Sequence, residues 1–263
     1  MKIAVARLPM RSGDDRVFTT DRGAIILDGA TSFDPDVPSA SEYVDVLGAE
    51  LLRRLDGADD LETILADAIS TTARRLKLDC GSAPSSTVAL VRIGNDAIDV
   101  LVLGDSSVVV GRNDQSYRVV TDERLAGLNL PETDQYRARL KSGGGYDETH
   151  RALLRALQNR QRGRRNHDGG YWIAEADPGA AKHAFRQRFS VDETSWIVMA
   201  TDGVSNLLAP LKVSWPEVAQ LDDDNLARLL AWCHEWEAVT DPNGQQQPRA
   251  KRHDDKALAV IRL

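Results

Sequence analysis

The hydrophobic positions change period along the chain. "KIAVARL", "RVFTT" and "GAIILDGA" are short apolar runs of strand length. From Ser39 onward Val44, Leu47, Leu51 and Leu55 share one helical face, and Ser39 or Ser41 stands ready as N-cap. A second helix is expected over 60–78, with Leu61 and Leu65 turned inward. Strands return in "STVALVRIG", "AIDVLVLGD" and "SSVVVGR", punctuated by Asn95-Asp96 and Gly104-Asp105. Both dipeptides read as hairpin turns, which makes the sheet antiparallel. "SYRVVTD" adds a further strand. The stretch 123–192 is less regular, with two helical segments, the triple glycine Gly143 to Gly145 and the basic run "RQRGRRN". It reads as a flap inserted over the core, its glycines supplying flexibility. Strands resume in "FRQRFSV" and "SWIVMATDG". A last helix over 223–241 sets Leu226, Leu229, Leu230 and Cys233 on one face, and a polar loop leads to the strand "KALAVIRL".

This order is not βαβ alternation. It fits an α+β fold, a four-layer αββα sandwich of two antiparallel sheets flanked by helices. One domain over 1–263 is expected, since a chain of 263 residues supports a single core.

Composition narrows the function. The formal net charge of −7 argues against nucleic-acid partners and suits a protein that holds cations. Cys80 and Cys233 are far apart and indicate neither a disulfide framework nor a zinc site. The histidines show no i, i+4 pair of the zincin kind. No leader or membrane-length apolar run is present, so a cytoplasmic monomer without a membrane partner is the expectation.

The candidate chemistry lies where strands end. "WIVMATDG" is apolar until Asp202-Gly203, and "AIILDG" until Asp28-Gly29. Asp14-Asp15 precede a strand, and Asp254-Asp255 open the last one. Asp-Gly is also a common turn dipeptide, and Asp202 is a candidate cap for a helix begun by "GVSNLL". If the strands are neighbours, however, their carboxylates meet at one rim and repel unless cations lie between them. Hard oxygen donors suit Mg²⁺ or Mn²⁺ rather than zinc.

The ordered set "RSGDDRVF", "IILDGATS", "PSSTVALV", "VLGDSSVVV", "VMATDGVSN" and "HDDKALAVIRL" resembles the type-2C metal-dependent serine/threonine protein phosphatases, the PPM family, in a bacterial single-domain form. The match runs over nearly the whole chain. The resemblance implies that Asp28 bridges two metals, that the Gly29 carbonyl binds one of them, and that Asp202 and Asp254 complete one site. It gives Asp14 to the other site, directly or through water, with Asp15 supporting it. It places a weaker third ion by Glu123 or Asp122 and makes Asp105 structural. It implies hydrolysis of phosphoproteins or phosphopeptides by water activated between the two metals. Four departures stand out. The usual Glu-Asp or Gln-Asp is Asp14-Asp15. The phosphate-holding arginine falls at Met10, leaving Arg11 for that role. A histidine some members carry is Ala30, and the family's final Asp-Asn is Asp254-Asp255. The alternatives are a pseudophosphatase that serves as a binding module, an N-terminal-nucleophile hydrolase, and a metal phosphoesterase of another fold. "RQRGRRN" either attracts a phosphopeptide or is a solvated helix end.

Overall fold

The computed structural model describes residues 1–10, 13–30, 39–114 and 116–263. One sheet runs in the order β1 (Lys2–Leu8), β10 (Lys256–Arg262), β9 (Thr194–Ala200), β6 (Ser107–Arg112), β7 (Tyr117–Val120). The other runs β2 (Arg16–Thr20), β3 (Gly23–Ala30), β4 (Ser85–Ile93), β5 (Ala97–Leu103), β8 (Phe185–Ser190). Every neighbouring pair is antiparallel.

Strand alternation sorts the apolar residues into layers. Ala24, Ile26, Ala89 and Val91 face the opposite sheet, where they meet Val108, Ile197, Met199 and Ala259. Ile25, Leu27, Val88 and Leu90 face outward and are covered by α1 (Ala40–Leu55) and α2 (Leu61–Leu76). Ala4, Val109, Val198 and Val260 point the other way, beneath α5 (Asp202–Leu211), α6 (Trp215–Ala219) and α7 (Asp223–Glu235). The expected αββα sandwich is therefore present, and the central strands of each sheet are covered on both faces, while the edge strands β7 and β8 leave Tyr117, Val119 and Phe185 exposed. Ser39 is the N-cap of α1, accepting from Glu42 N at 3.3 Å, and Asp60 caps α2 through Thr63 N at 3.0 Å. Among the described residues no helix is long and apolar enough to cross a membrane.

Two expectations change. Asn95-Asp96 joins the paired strands β4 and β5, but Gly104-Asp105 is not a hairpin. It carries the chain from β5 in one sheet to β6 in the other. A turn dipeptide marks a reversal without naming the strand's partner. The triple glycine is not a loose hinge either. Gly143 and Gly145 hold positive φ of 86° and 64°, and Arg139 reaches across the turn to the Gly145 carbonyl at 2.5 Å and to Asp147 at 2.6 Å.

The stretch 123–192 divides physically. α3 (Pro131–Lys141) and α4 (Glu148–Arg162) enclose a small core of Tyr136, Leu140, Leu154 and Leu157. Beyond them Ala174 pairs with Ser86 through backbone bonds of 2.9 and 3.1 Å, and Ala180 and Ala181 pack into the α1/α2 layer. β8 is an edge strand of the sheet itself.

The polar loop before β10 is built around Arg249. Its guanidinium reaches Asp241 Oδ2 at 2.8 Å, the Asp241 carbonyl at 2.8 Å and, through Nε, the Arg252 carbonyl at 3.0 Å. Asp241 also accepts from Gln246 N and Gln247 N, each at 3.0 Å. Buried His150 of α4 fixes the loop from outside, its Nε2 lying 2.8 Å from the Ala250 carbonyl.

Ile197 is fully buried between the sheets. Ile197→Ala is expected to cost about 2–5 kcal/mol in urea unfolding, with the slope unchanged. A cost below about 1 kcal/mol would mean that the sheets can collapse onto the cavity, contrary to the tight layer described.

Candidate active site

The sheet register brings the acidic segments to one rim. Ala200, at the end of β9, pairs with Leu258 on one side and with Ser107 on the other. Leu8 of β1 pairs with Lys256. The end of β9 and the start of β10 therefore lie together, and Asp202 and Asp254 with them. In the facing sheet Asp28 lies opposite Thr87 near the end of β3, and Ser86 Oγ donates to the Asp28 carbonyl at 3.0 Å.

Specific contacts tie these ends together. Asp255 accepts from Asp14 N through Oδ2 at 2.9 Å and from Met10 N through Oδ1. Thr201 donates from its backbone to the Ala257 carbonyl at 3.1 Å and accepts from Ala257 N at its hydroxyl, also at 3.1 Å. That hydroxyl also hydrogen-bonds the Asp15 carboxyl. Arg16 holds the acidic-pair loop by the Asp15 carbonyl at 3.0 Å and is itself paired with Asp45 at 2.5 Å. Gly203 is where the approach is closest, because a Cβ there would lie 2.1 Å from the Asp255 carbonyl oxygen. Gly29 likewise leaves room for Asp14, whose Cβ would be 2.9 Å away. The glycines of both Asp-Gly pairs thus admit the other acidic pairs. Asp202 does not cap α5: Thr201 is the N-cap residue, and Asp202 is the first residue of the helix.

Across this rim the charges of Asp15, Asp202 and Asp254 all act on Asp28. Asp28 and Asp202 keep some exposure at the rim, yet desolvation is the largest influence on each. Burial, then the charge of Asp254 and of Asp105, pushes Asp202 up to about 8. Burial, offset by the Thr201 hydrogen bond and reinforced by Asp254 and Asp255, brings Asp15 up to about 7. Burial and the charges of Asp15, Asp202 and Asp254 hold Asp28 well above the carboxylate range. Asp15 Oδ2 is buried without a hydrogen-bond partner among the described residues. Partnerless buried oxygen among crowded carboxyls is what a divalent cation would relieve, so the donor set fits Mg²⁺ or Mn²⁺.

The remaining candidates fall as follows. Asp14 is buried, its backbone held by Asp255, and its charge acts on Arg16. Asp15 is thus the member of the pair whose charge reaches Asp28 and Asp202. Asp105 is raised by burial and by Asp122 and Asp254, so it lies behind the same group. Both Asp122 oxygens are taken by Arg124, at 2.9 and 2.6 Å, and Glu123 is exposed. Arg11 lies outside the described residues. In the basic run, Arg160 is paired with Glu132 at 2.5 Å and Arg165 with Glu175 at 3.0 Å.

Sequence reasoning passed over Thr201, Lys251 and the clamping role of Asp255. Lys251 Nζ lies 2.6 Å from Asp254 Oδ1. Burial works to lower this ammonium, but Asp254, Asp28 and Asp202 raise it above its ordinary value. Its signal, a lysine three residues before the acid, is indistinguishable in sequence from a surface ion pair. Among the described residues, the side chains whose ligand atoms all lie within 4.8 Å of one another form a different group, His234, Glu237 and His253. Its carboxylate is already held by buried Lys256 at 2.8 Å, with Arg249 at 3.7 Å, and Lys256 also donates to the Asp254 carbonyl at 2.9 Å. That group is an anchor for the strand end rather than a vacant donor set.

The architecture is thus a two-sheet sandwich with acidic segments gathered at one rim. The chain belongs to the protein phosphatase 2C family, whose model matches residues 12–236. No curated protein matches it. Among solved structures it is similar to the serine/threonine phosphatase Stp1 from Staphylococcus aureus, with TM-score 0.56 and 11% identity over 100% of this chain and 94% of that one. The catalytic domain of the serine/threonine phosphatase PstP, solved with two manganese ions, gives TM-score 0.55 and 13% identity over 98% and 96%. PppA, a regulatory component of the type VI secretion system in Pseudomonas aeruginosa, gives 0.54 and 13% over 99% and 96%. At these identities the likeness is one of fold.

Two outcomes follow. Asp15 and Asp202 have folded pKa values above the ordinary 3.8, at about 7 and about 8. The folded, metal-free protein therefore holds protons that the unfolded chain has released, and their contribution to stability falls as pH rises through those values. The Tm in chelator should drop between about pH 5 and 8, and Asp202→Asn should flatten the drop. An identical slope in the variant would contradict the assignment. Gly203→Ala should cost about 1–3 kcal/mol in chemical unfolding, because backbone must move. An unchanged midpoint would show that the two strand ends are not pressed together.

Proposed function

We propose that this chain is an active metal-dependent phosphatase of phosphoserine and phosphothreonine in proteins. The observation that carries the reading is the gathering of Asp15, Asp28, Asp202 and Asp254 at one rim, near enough for charge to act between them, with Asp15 Oδ2 buried and without a hydrogen-bond partner among the described residues. Asp28, Asp202 and Asp254 would hold one ion. Asp28, the Gly29 carbonyl and Asp15 would hold the other, with Asp14 supporting, so the two members of the acidic pair exchange the parts their resemblance gives them. Two such ions, when bound, supply a hydroxide nucleophile near neutral pH and neutralise charge on the phosphoryl oxygens. With both Asp122 oxygens committed to Arg124, we place no third ion beside Glu123.

The chain's own contribution is to hold these carboxylates close before any ion arrives and to seat the substrate. A cleft of about 100 Å³ opens beside Ala30, two residues beyond Asp28, between Ser85 and the α4 side chains Gln161 and Arg162. It suits the protein part of a phosphoprotein. Arg165 at its wall is engaged by Glu175, so it shapes the cleft more than it attracts charge. Ala30 offers no proton, and the leaving serine or threonine oxygen takes one from water.

A second reading, a weak phosphatase or pseudophosphatase that binds phosphoproteins, has specific support. An ammonium already stands on Asp254, and Ala30 replaces a potential acid. The two separate on Asp28→Ala and Asp202→Ala, assayed on an aryl phosphate and a phosphopeptide with and without Mn²⁺. Each change is expected to lower activity by about 100-fold or more. Neither should lower the metal-free Tm, since each removes a repelling carboxyl. Wild-type protein with no Mn²⁺-dependent hydrolysis would leave the binding-module reading standing.

A further inference from the structure

Lys251 differs from an ordinary surface lysine in what surrounds its head group. Its Nζ is 2.6 Å from Asp254 Oδ1, and Asp28 and Asp202 act on the same charge. Its backbone is pinned on both sides. The Ala250 carbonyl is held by His150 at 2.8 Å, and the Arg252 carbonyl by Arg249 at 3.0 Å. The Asp254 carbonyl is held in turn by Lys256 at 2.9 Å. The aliphatic stem is thus launched from a fixed point toward the acids. The side chain nevertheless keeps 35% of its exposure, which leaves it a path back to water. A lysine and an aspartate three residues apart usually form a loose exposed pair of little consequence. Here one partner belongs to a crowded group of carboxyls, and the ammonium lies where positive charge is most strongly attracted.

We propose that Lys251 is a tethered cation that occupies the Asp28–Asp202–Asp254 corner of the acidic centre, competes there with a divalent ion, and so sets the metal affinity of that corner. The inference rests on the metal reading of the site given above. In the metal-free chain the ammonium donates to Asp254 Oδ1 and sets its charge beside Asp28 and Asp202, which would otherwise repel Asp254. A divalent ion brings twice the charge, but it must displace the ammonium or bind beside it against like-charge repulsion. The lysine therefore raises the ion concentration the corner needs, and it holds the corner assembled until that concentration is reached.

The test is calorimetric titration of Mn²⁺ into metal-stripped protein at fixed pH and ionic strength. Wild type is compared with Lys251→Met, Lys251→Gln and Lys251→Arg. The two neutral variants are expected to bind Mn²⁺ about tenfold or more tightly than wild type, while Lys251→Arg, which keeps the charge, stays within about threefold of it. Using two neutral variants keeps the result readable if one fails to fold. Measurable binding that is equal or weaker in the neutral variants overturns this proposal alone. Absence of Mn²⁺ binding in every protein, wild type included, overturns the metal reading and this proposal with it.

Discussion

The mutual repulsion of carboxyls withdrawn from water is the constraint around which this molecule is arranged. Asp15, Asp28, Asp202 and Asp254 come from four segments widely separated along the chain, and the charges of Asp15, Asp202 and Asp254 all raise the proton affinity of Asp28. Left alone, such a group drives its segments apart. What keeps them together is the surrounding structure. The antiparallel register sets the ends of β9 and β10 side by side. Gly203 lets the start of α5 press on the Asp255 carbonyl. Thr201 joins β9 to β10 and to Asp15.

The same logic reaches outward. Lys256 is fully buried, which is tolerable only because Glu237 and the Asp254 carbonyl satisfy it. Glu237 comes from the turn after α7, so the helix layer and the strand end are locked by one ion pair. Arg249 then folds the loop onto Asp241, and His150 ties that loop to the α3/α4 pair. The inserted helices, though they enclose a separate small core, are therefore coupled to the segment that carries Lys251 and Asp254.

Much of this was legible in the sequence because it depends on local pattern. Fully apolar strands predicted sheets covered on both faces, and an acid at the end of such a strand predicted a rim of carboxylates. Pairing across distance was not legible. Gly104-Asp105 has the chemistry of a hairpin, but β6 finds its neighbours in the other sheet. Within Asp14-Asp15 no alternation decides which carboxyl faces inward, because the pair sits in a loop before β2 rather than on the strand. Asp122 looked available as a ligand until Arg124, two residues on, was seen to clasp both its oxygens. Lys251 was invisible for a similar reason: its partners Asp28 and Asp202 are distant in sequence and meet it only in the folded chain.

Asp255 shows how a departure from the resembling family's pattern can be read physically. That pattern has asparagine here. In this chain the two backbone donors approach different oxygens, Met10 N at Oδ1 and Asp14 N at Oδ2. A carboxylate accepts both, whereas an asparagine would turn its NH₂ toward one of them and set donor against donor. The aspartate thus clamps the acidic-pair loop to β10 from both ends, at the cost of one more negative charge beside an already crowded group. That charge adds to the upward pressure on Asp15. Part of it is balanced by Arg16, whose guanidinium feels both Asp14 and Asp255 and holds the Asp15 carbonyl. The residue that differs from the family is therefore not a weakened ligand. It is a stronger fastening, and the centre it fastens has a correspondingly greater need of positive charge.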